Sequence, residues 1–485
     1  MAKLKVLFAT SEVAPLIKTG GLADVSGALP AALRSIGVDV RVLVPGYNQV
    51  IGKLPQYRVA ANFDDLPGFP ASRLLSGTMA NGVPVLVLDC PALYQREGGP
   101  YQNAHGHDWA DNALRFGLLS KVAAVLGCSA SPLDWHPDLV QCNDWQTGLT
   151  PAYLRFSQDA APSVIAIHNL AFQGNFPPDT VQQLGLPPSC YGIEGVEFHG
   201  HMSFLKAALF YADHITTVSP NYAREIQHDE LGFGMQGLLS MRRDSLTGIL
   251  NGIDTEEWNP ETDSHLASHY SSAKMSGKAA NKEALQKRLG LDIDPAIPLL
   301  GVVSRFTHQK GLDLLLEIAP GLTRLPVQLA LLGSGEAQMQ KAAKDLAHLY
   351  AGKIGAMIGF SEDLSHLIEA GADMFVMPSR FEPCGLNQLY SQRYGTPPIV
   401  NATGGLADSV VDCNATTLAD GTASGFVFQG MTAENLYNTI LRAVDVYQDK
   451  RKWNTLRKNC MAKDFSWQRS AEAYLAVYDK VLGRR

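Results

Sequence analysis

Short apolar runs of four to seven residues alternate along the chain with longer stretches whose apolar residues recur every three or four positions. In the first half the runs are Val6–Ala9, Val38–Val44, Val83–Leu88, Leu139–Cys142, Val164–Ile167 and Ile215–Val218. Helix-like stretches between them include Leu22–Ile36, Trp109–Leu126 and Ser203–Tyr211. Around Leu246–Leu250 the rhythm pauses, and Asn251–Asp294 is rich in Ser, Asp, Lys and Pro, with weak helical character near Lys282–Leu289. It then restarts as strand Leu299–Ser304, helix Gly311–Ile318, strand Val327–Leu332, helix Glu336–Tyr350, strand Ala356–Ile358, helix Leu364–Glu369, strand Phe375–Met377 and helix Leu386–Tyr394. Trp467–Leu482 is helical again. Strands apolar on both faces, alternating with amphipathic helices, predict parallel sheets covered by helices on either side. The pattern predicts two doubly wound α/β domains, 1–248 and 249–464, followed by a terminal helix within 465–485.

Composition narrows this further. With 485 residues, 46% apolar and 18% charged, the chain can fill two cores and is not a disordered or low-complexity polymer. A net charge of −7 without any basic block argues against a nucleic-acid or anionic-membrane partner. The longest apolar run, Ile297 to Val303, is too short for a membrane helix. Met1-Ala2-Lys3-Leu4-Lys5 runs straight into a strand, so neither a signal nor a transit peptide is expected. Seven scattered cysteines with no C-x-x-C pair predict reduced thiols in a cytoplasmic protein, with no disulfide framework and no zinc cluster.

One segment recurs. Thr19-Gly20-Gly21-Leu22-Ala23-Asp24 reappears as Thr403-Gly404-Gly405-Leu406-Ala407-Asp408, each copy placed after a strand-like run and at the start of a helix. Gly-Gly serves a tight strand-to-helix turn, or the helix start offers its N–H groups and positive dipole end to an anion. Lys18 precedes the first copy. Arg305 and Lys310 follow the strand Leu299–Ser304 at its carboxyl end, where ligands of open α/β sheets lie. A guanidinium and an ammonium there suit phosphate oxygens, or are solvated surface cations. Glu382, in Arg380-Phe381-Glu382-Pro383-Cys384-Gly385-Leu386, is placed to accept hydrogen bonds from a sugar or to stabilise charge on its ring, or answers a helix dipole. His168-Asn169 and Asp144 also end strands, and Asn251-Gly252 sits at the domain junction. The pairs His105/His107 and His199/His201 lack further ligands at metal-site spacing. Gly333-Ser334-Gly335 opens like a dinucleotide fingerprint, but position 338 is Gln where a glycine is needed.

Together these motifs resemble the bacterial glycogen synthases and plant starch synthases: Lys18-Thr-Gly-Gly-Leu-Ala-Asp24, His168-Asn-Leu-Ala-Phe-Gln-Gly174, Asn251-Gly-Ile-Asp254, Ser304-Arg305 through Lys310-Gly311, Arg380-Phe-Glu-Pro-Cys-Gly385 and Thr403-Gly-Gly-Leu406, in that order. The resemblance runs the full length. It implies a GT-B fold, two Rossmann-like domains facing across a deep cleft, with the terminal helix crossing back to the first domain. It implies transfer of glucose from ADP-glucose to the non-reducing end of an α-1,4-glucan with retention, the first domain serving the acceptor and the second the nucleotide sugar. By the same resemblance Lys18, with Gly20, Gly21 and Asp24 in its turn, binds the diphosphate, and Arg305 and Lys310 hold the phosphates and the departing charge. Glu382 faces the glucosyl ring, beside Cys384, Gly385 and Leu386. The amides of the Thr403, Gly404, Gly405 and Leu406 turn grip the distal phosphate. His168 and Asn251 contact the transferred glucose, Asp144 the acceptor side, and Phe360 the adenine. No cofactor and no metal are expected. The chain departs from the family pattern at Asn143, where His is usual, at Phe360, where Tyr is usual, and at Asn387, where Thr is usual.

Overall fold

The computed structural model describes residues 3–54 and 56–484. They divide into two compact units: one runs to Gly252 and resumes at Trp467, and the other is Ile253–Ser466. The first unit is built on a nine-stranded sheet. Its spatial order is Leu246–Gly248, His214–Thr217, Ser163–Ile167, Leu139–Asn143, Lys5–Ala9, Asp39–Pro45, Pro84–Asp89, Ser72–Thr78 and Tyr57–Phe63. The first seven of these strands pair in parallel. The last two pair antiparallel with their neighbours, so this sheet is not parallel throughout. Tyr57–Phe63 is the edge strand and mostly exposed, which leaves it without the continuous apolar signature of a buried parallel strand. Asn175–Phe176, Glu197–Phe198 and His201–Ser203 form a separate small antiparallel sheet.

Buried strands read as apolar because both faces are covered. Phe8, Val42, Val85, Val140 and Ile165 have no exposed area. Helix Asn112–Leu126 is buried on almost every side, and it encloses Arg115, which donates to the carbonyls of Leu93 (2.9 Å) and Pro100 (2.7 Å) and to Asn112 Oδ1 (2.7 Å). The terminal helix, Trp467–Val481, belongs to the first unit and packs on helix Gly21–Ser35. Its Tyr478 hydroxyl bonds Gln141 Oε1 inside the core at 3.1 Å.

The second unit holds a six-stranded parallel sheet. Its order is Ile354–Ile358, Gln328–Gly335, Leu299–Phe306, Met374–Met377, Pro398–Asn401 and Phe426–Phe428. Successive strand residues serve opposite cores, as the pleat requires. Leu300, Leu329 and Leu331 join the cluster with Leu315, Leu436 and Ile440, while Leu299, Ala330 and Leu332 join that with Leu285, Ile368 and Phe375. The polar stretch after Leu250 is anchored by aromatics: Trp258 and Tyr270 pack with Tyr394. Helix Gly277–Arg288 follows, burying Lys278 and Lys282, each held by backbone carbonyls.

Candidate active site

The sequence-selected residues form two groups, one in each unit. In the first unit they cluster where parallel strands end. Asp144 follows strand Leu139–Asn143 with φ at +53°, a left-handed conformation that L-residues seldom adopt. It turns the carboxylate Oδ1 onto the His168 N–H at 2.7 Å, tying two strand ends together. Burial pushes the Asp144 carboxyl up to about 7, against the N–H groups of His168 and Asn169, and the charge of Glu12 adds to the rise. His168 Nε2 meets Asn143 Oδ1 at 3.1 Å, and Asn143 Nδ2 donates to the Ala9 carbonyl at 2.9 Å. That second bond orients the amide, so Asn143 presents its oxygen and His168 carries its proton on Nε2. Burial lowers the His168 pKa to about 4, so the ring is neutral at physiological pH. Asn251 also lies in this unit, and its buried Oδ1 has no hydrogen-bond partner among the described residues.

The first Thr-Gly-Gly turn already holds an anion, supplied by the chain. Glu12 Oε2 accepts from the N–H of Thr19 (2.6 Å) and of Gly20 (3.4 Å), and Oε1 accepts from Tyr101 (2.7 Å). Lys18 pairs with Asp24 at 2.7 Å and remains exposed. Gly20 and Gly21 face open space, where an added Cβ meets nothing within 4 Å. Sequence reasoning missed Glu12. Its signal was position, three residues past the strand Lys5–Ala9 at a carboxyl end. This copy therefore does not follow its strand directly, because the segment carrying Glu12 and Lys18 intervenes.

In the second unit the central feature is a pair. Lys310 Nζ lies 2.5 Å from Glu382 Oε2, and Ser379 Oγ donates to the same oxygen at 3.1 Å. Glu382 is buried, and the side chain of Lys310 is 17% exposed. Two neighbouring contacts fix the loops that carry them. Arg380 grips Asp313 with two bonds (2.8 and 2.7 Å) and also donates to the His308 carbonyl, so the segment after Phe306 is tied to the segment before Glu382. Asn387 Nδ2 donates to the Val303 carbonyl at 2.7 Å, fixing helix Asn387–Arg393 to the strand that carries Arg305. Arg305 is exposed and has no ion-pair partner among the described residues. The Phe360 ring is 82% exposed, next to Gly359 at φ +136°.

The second Thr-Gly-Gly copy follows a different logic. A Cβ on Gly404 would stand 2.0 Å from the Glu382 carbonyl, and one on Gly405 would stand 2.0 Å from that of Cys384. The glycines are demanded by packing against the Glu382–Cys384 turn. The Gly405 N–H donates to the carbonyls of Glu382 and Pro383, and the Leu406 N–H donates to Thr403. These two amides are satisfied inside the protein. The helix they open, Gly404–Ser409, is only six residues long. Gly333 and Gly335 likewise serve close packing, against Ser304 and Phe306.

Residues 5–241 match the family described as starch synthase catalytic domain, and 283–458 that of glycosyl transferases group 1. A glycogen synthase of Nitrosospira multiformis is 56% identical over 99% of this chain and 98% of its own length. The chain belongs to the glycogen synthase family. A second glycogen synthase, from Nitrosomonas eutropha, is 57% identical over 99% of this chain and 96% of its own. The catalytic domain of starch synthase IV from Arabidopsis thaliana, solved bound to ADP and acarbose, superposes with a TM-score of 0.87 at 31% identity, covering 100% of both chains. Membership of the glycogen synthase family makes the protein a glycosyltransferase of two α/β domains. No described helix is long and apolar enough to cross a membrane.

Proposed function

We propose that this glycosyltransferase takes glucose from ADP-glucose and adds it to the non-reducing end of an α-1,4-glucan, with retention at the anomeric carbon, in the cytoplasm. The observation that carries the reading is identity of 56–57% with glycogen synthases over 99% of the chain. The Lys310–Glu382 pair supports it chemically. As the sugar–phosphate bond breaks, negative charge grows on the departing diphosphate and needs preorganised cations. Lys310 and Arg305 supply them, and Glu382 holds Lys310 in place until phosphate oxygens compete for it. Glu382 then faces positive charge on the sugar ring. Toward the transferred glucose, neutral His168 offers Nδ1 as an acceptor to a sugar hydroxyl, and Asn251 Oδ1 another. The seven cysteines, all buried and free, suit a reducing compartment.

The test is nucleotide release from ADP-glucose and from UDP-glucose, with and without glycogen. Release from ADP-glucose that depends on glycogen, with an α-bond in the product by proton NMR, is the expected result. A β-bond, or release that ignores glycogen, defeats the reading.

A further inference from the structure

His366 lies on helix Glu362–Gly371 of the second unit, 1% exposed, its ring stacked on Trp258 with centroids 3.9 Å apart. Its two nitrogens meet different surroundings. Nδ1 is 2.8 Å from Asp263 Oδ2, an oxygen that also accepts from the Tyr394 hydroxyl. Asp263 Oδ1 accepts from the His265 N–H at 2.9 Å. A carboxylate only accepts, so Nδ1 carries a ring proton. Nε2 is buried and has no hydrogen-bond partner among the described residues. It faces Glu362 Oε1 at 3.5 Å, and Glu257 joins them, with one ligand atom from each residue lying within 4.8 Å of the others.

The spacing discriminates between a hydrogen bond and a shared ion. A charge-assisted hydrogen bond closes to about 2.7–2.9 Å. Two ligands about 2.0–2.1 Å from one tetrahedral Zn²⁺ stand roughly 3.3–3.4 Å apart, close to the 3.5 Å between Glu362 Oε1 and His366 Nε2. The 4.8 Å bound on the cluster leaves Glu257 to close onto the ion. Glu362 and His366 are four residues apart and so share one face of the helix. Glu257 comes from a turn that Asp254 Oδ1 holds through the N–H groups of Glu256 (2.9 Å) and Glu257 (3.1 Å). Asp263 stands where an outer carboxylate fixes the orientation of a ligating imidazole. We infer that Glu257, Glu362 and His366 bind one divalent ion of the Zn²⁺ type, with water as the fourth ligand. The ion pins the segment that carries Glu257 and Trp258 to the helix, and none of its ligands belongs to the residues assigned to glucosyl transfer.

A proton competes for the same position. Burial opposes charge on the ring, but the Asp263 hydrogen bond and the charges of Asp263, Glu362 and Glu257 outweigh it and raise the His366 pKa. The experiment therefore has to separate a metal from an imidazolium. The full chain, freed of metal by chelation, is titrated with Zn²⁺ by calorimetry and with Co²⁺ by visible absorption at about pH 8, where ligands are deprotonated. One equivalent should bind, with tetrahedral Co²⁺ bands that Zn²⁺ displaces. Glu257→Gln and Glu362→Gln, both at exposed positions, should each weaken Zn²⁺ binding by at least about tenfold, the lower end of what altering an outer partner alone costs. The inference is overturned by absence of stoichiometric binding, or by binding indifferent to both substitutions, as the exposed pairs His105/His107 and His199/His201 would give. It is equally overturned if ¹⁵N NMR shows His366 still doubly protonated in excess Zn²⁺.

Discussion

A lysine 2.5 Å from a buried carboxylate is positioned before any substrate arrives, which is what a leaving-group partner requires. Losing one such preorganised partner costs about 3–4 kcal/mol of barrier, or roughly 10²–10³ in rate. Lys310→Ala and Arg305→Ala should each fall near that range in kcat, and Lys310→Arg should not restore full activity, because a planar fork does not replace a point charge. Glu382→Ala should lower turnover by orders of magnitude while nucleotide binding largely survives; a matching collapse of ADP affinity would make it a binding residue. Because these two cations answer the diphosphate, turnover should persist in excess EDTA. Loss of turnover that Mg²⁺ or Mn²⁺ restores would contradict the assignment. Asp144 gives a pH signature. Its carboxyl rises from 3.8 to about 7 on folding. Between those values the folded state keeps a proton that the unfolded state has released, so stability falls as pH rises through the window and stays lower above it. Asp144→Asn removes the titration and keeps an oxygen that can accept from the His168 N–H. The melting temperature of the variant relative to the parent should therefore increase from about pH 4 to about pH 8. Parallel curves would show that the buried carboxylate carries no such penalty.

At the scale of elements, the repeated Thr-Gly-Gly segment has one spelling and two structural reasons. Gly405→Ala drives a methyl into the Cys384 carbonyl and should destabilise by about 1–3 kcal/mol, as overpacking does, displacing Glu382 and lowering activity as well. Gly21→Ala meets nothing and opens a helix, so the melting temperature should hold while any loss appears in the Michaelis constant for the nucleotide sugar. Equal destabilisation by both would refute this division. The sequence could show the repeat but not the difference, because the atoms that crowd Gly405 lie some twenty residues away in the chain. The same reach hid Glu12, whose partner Tyr101 is 89 residues on, and the Asp263–His366 contact, which spans 103. What was legible was local: strands buried on both faces, and site residues at their carboxyl ends. The edge hairpin Tyr57–Phe63 and Ser72–Thr78 escaped because exposed positions interrupt its apolar run. Helix Ala433–Gln448 buries Leu436, Ile440, Ala443, Val444 and Tyr447, a spacing from which it could have been read.

The whole molecule is not divided as the chain is written, since the first unit is completed by residues that follow the second. Helix Trp467–Val481 buries Trp467, Tyr474, Val477 and Tyr478. At about 1.5–3 kcal/mol for each large side chain, four such burials approach the 5–15 kcal/mol that holds a typical domain together. The helix is thus part of the first unit's core, and Ser470 adds a bond to the Leu250 carbonyl (2.7 Å) at the end of that unit's main segment. A chain ending at Ser466 should lose the cooperative thermal transition of the first unit and keep that of Ile253–Ser466. Tyr478→Ala, in full-length protein, should cost about 3–5 kcal/mol through the cavity it opens. Tyr478→Phe should cost about 1 kcal/mol through the lost bond to Gln141. Calorimetry resolves the outcomes: the graded shift should appear in one transition and leave the other at its temperature. If both transitions move together for the alanine variant, the two units unfold as one, and the helix stabilises the chain as a whole rather than the half it completes.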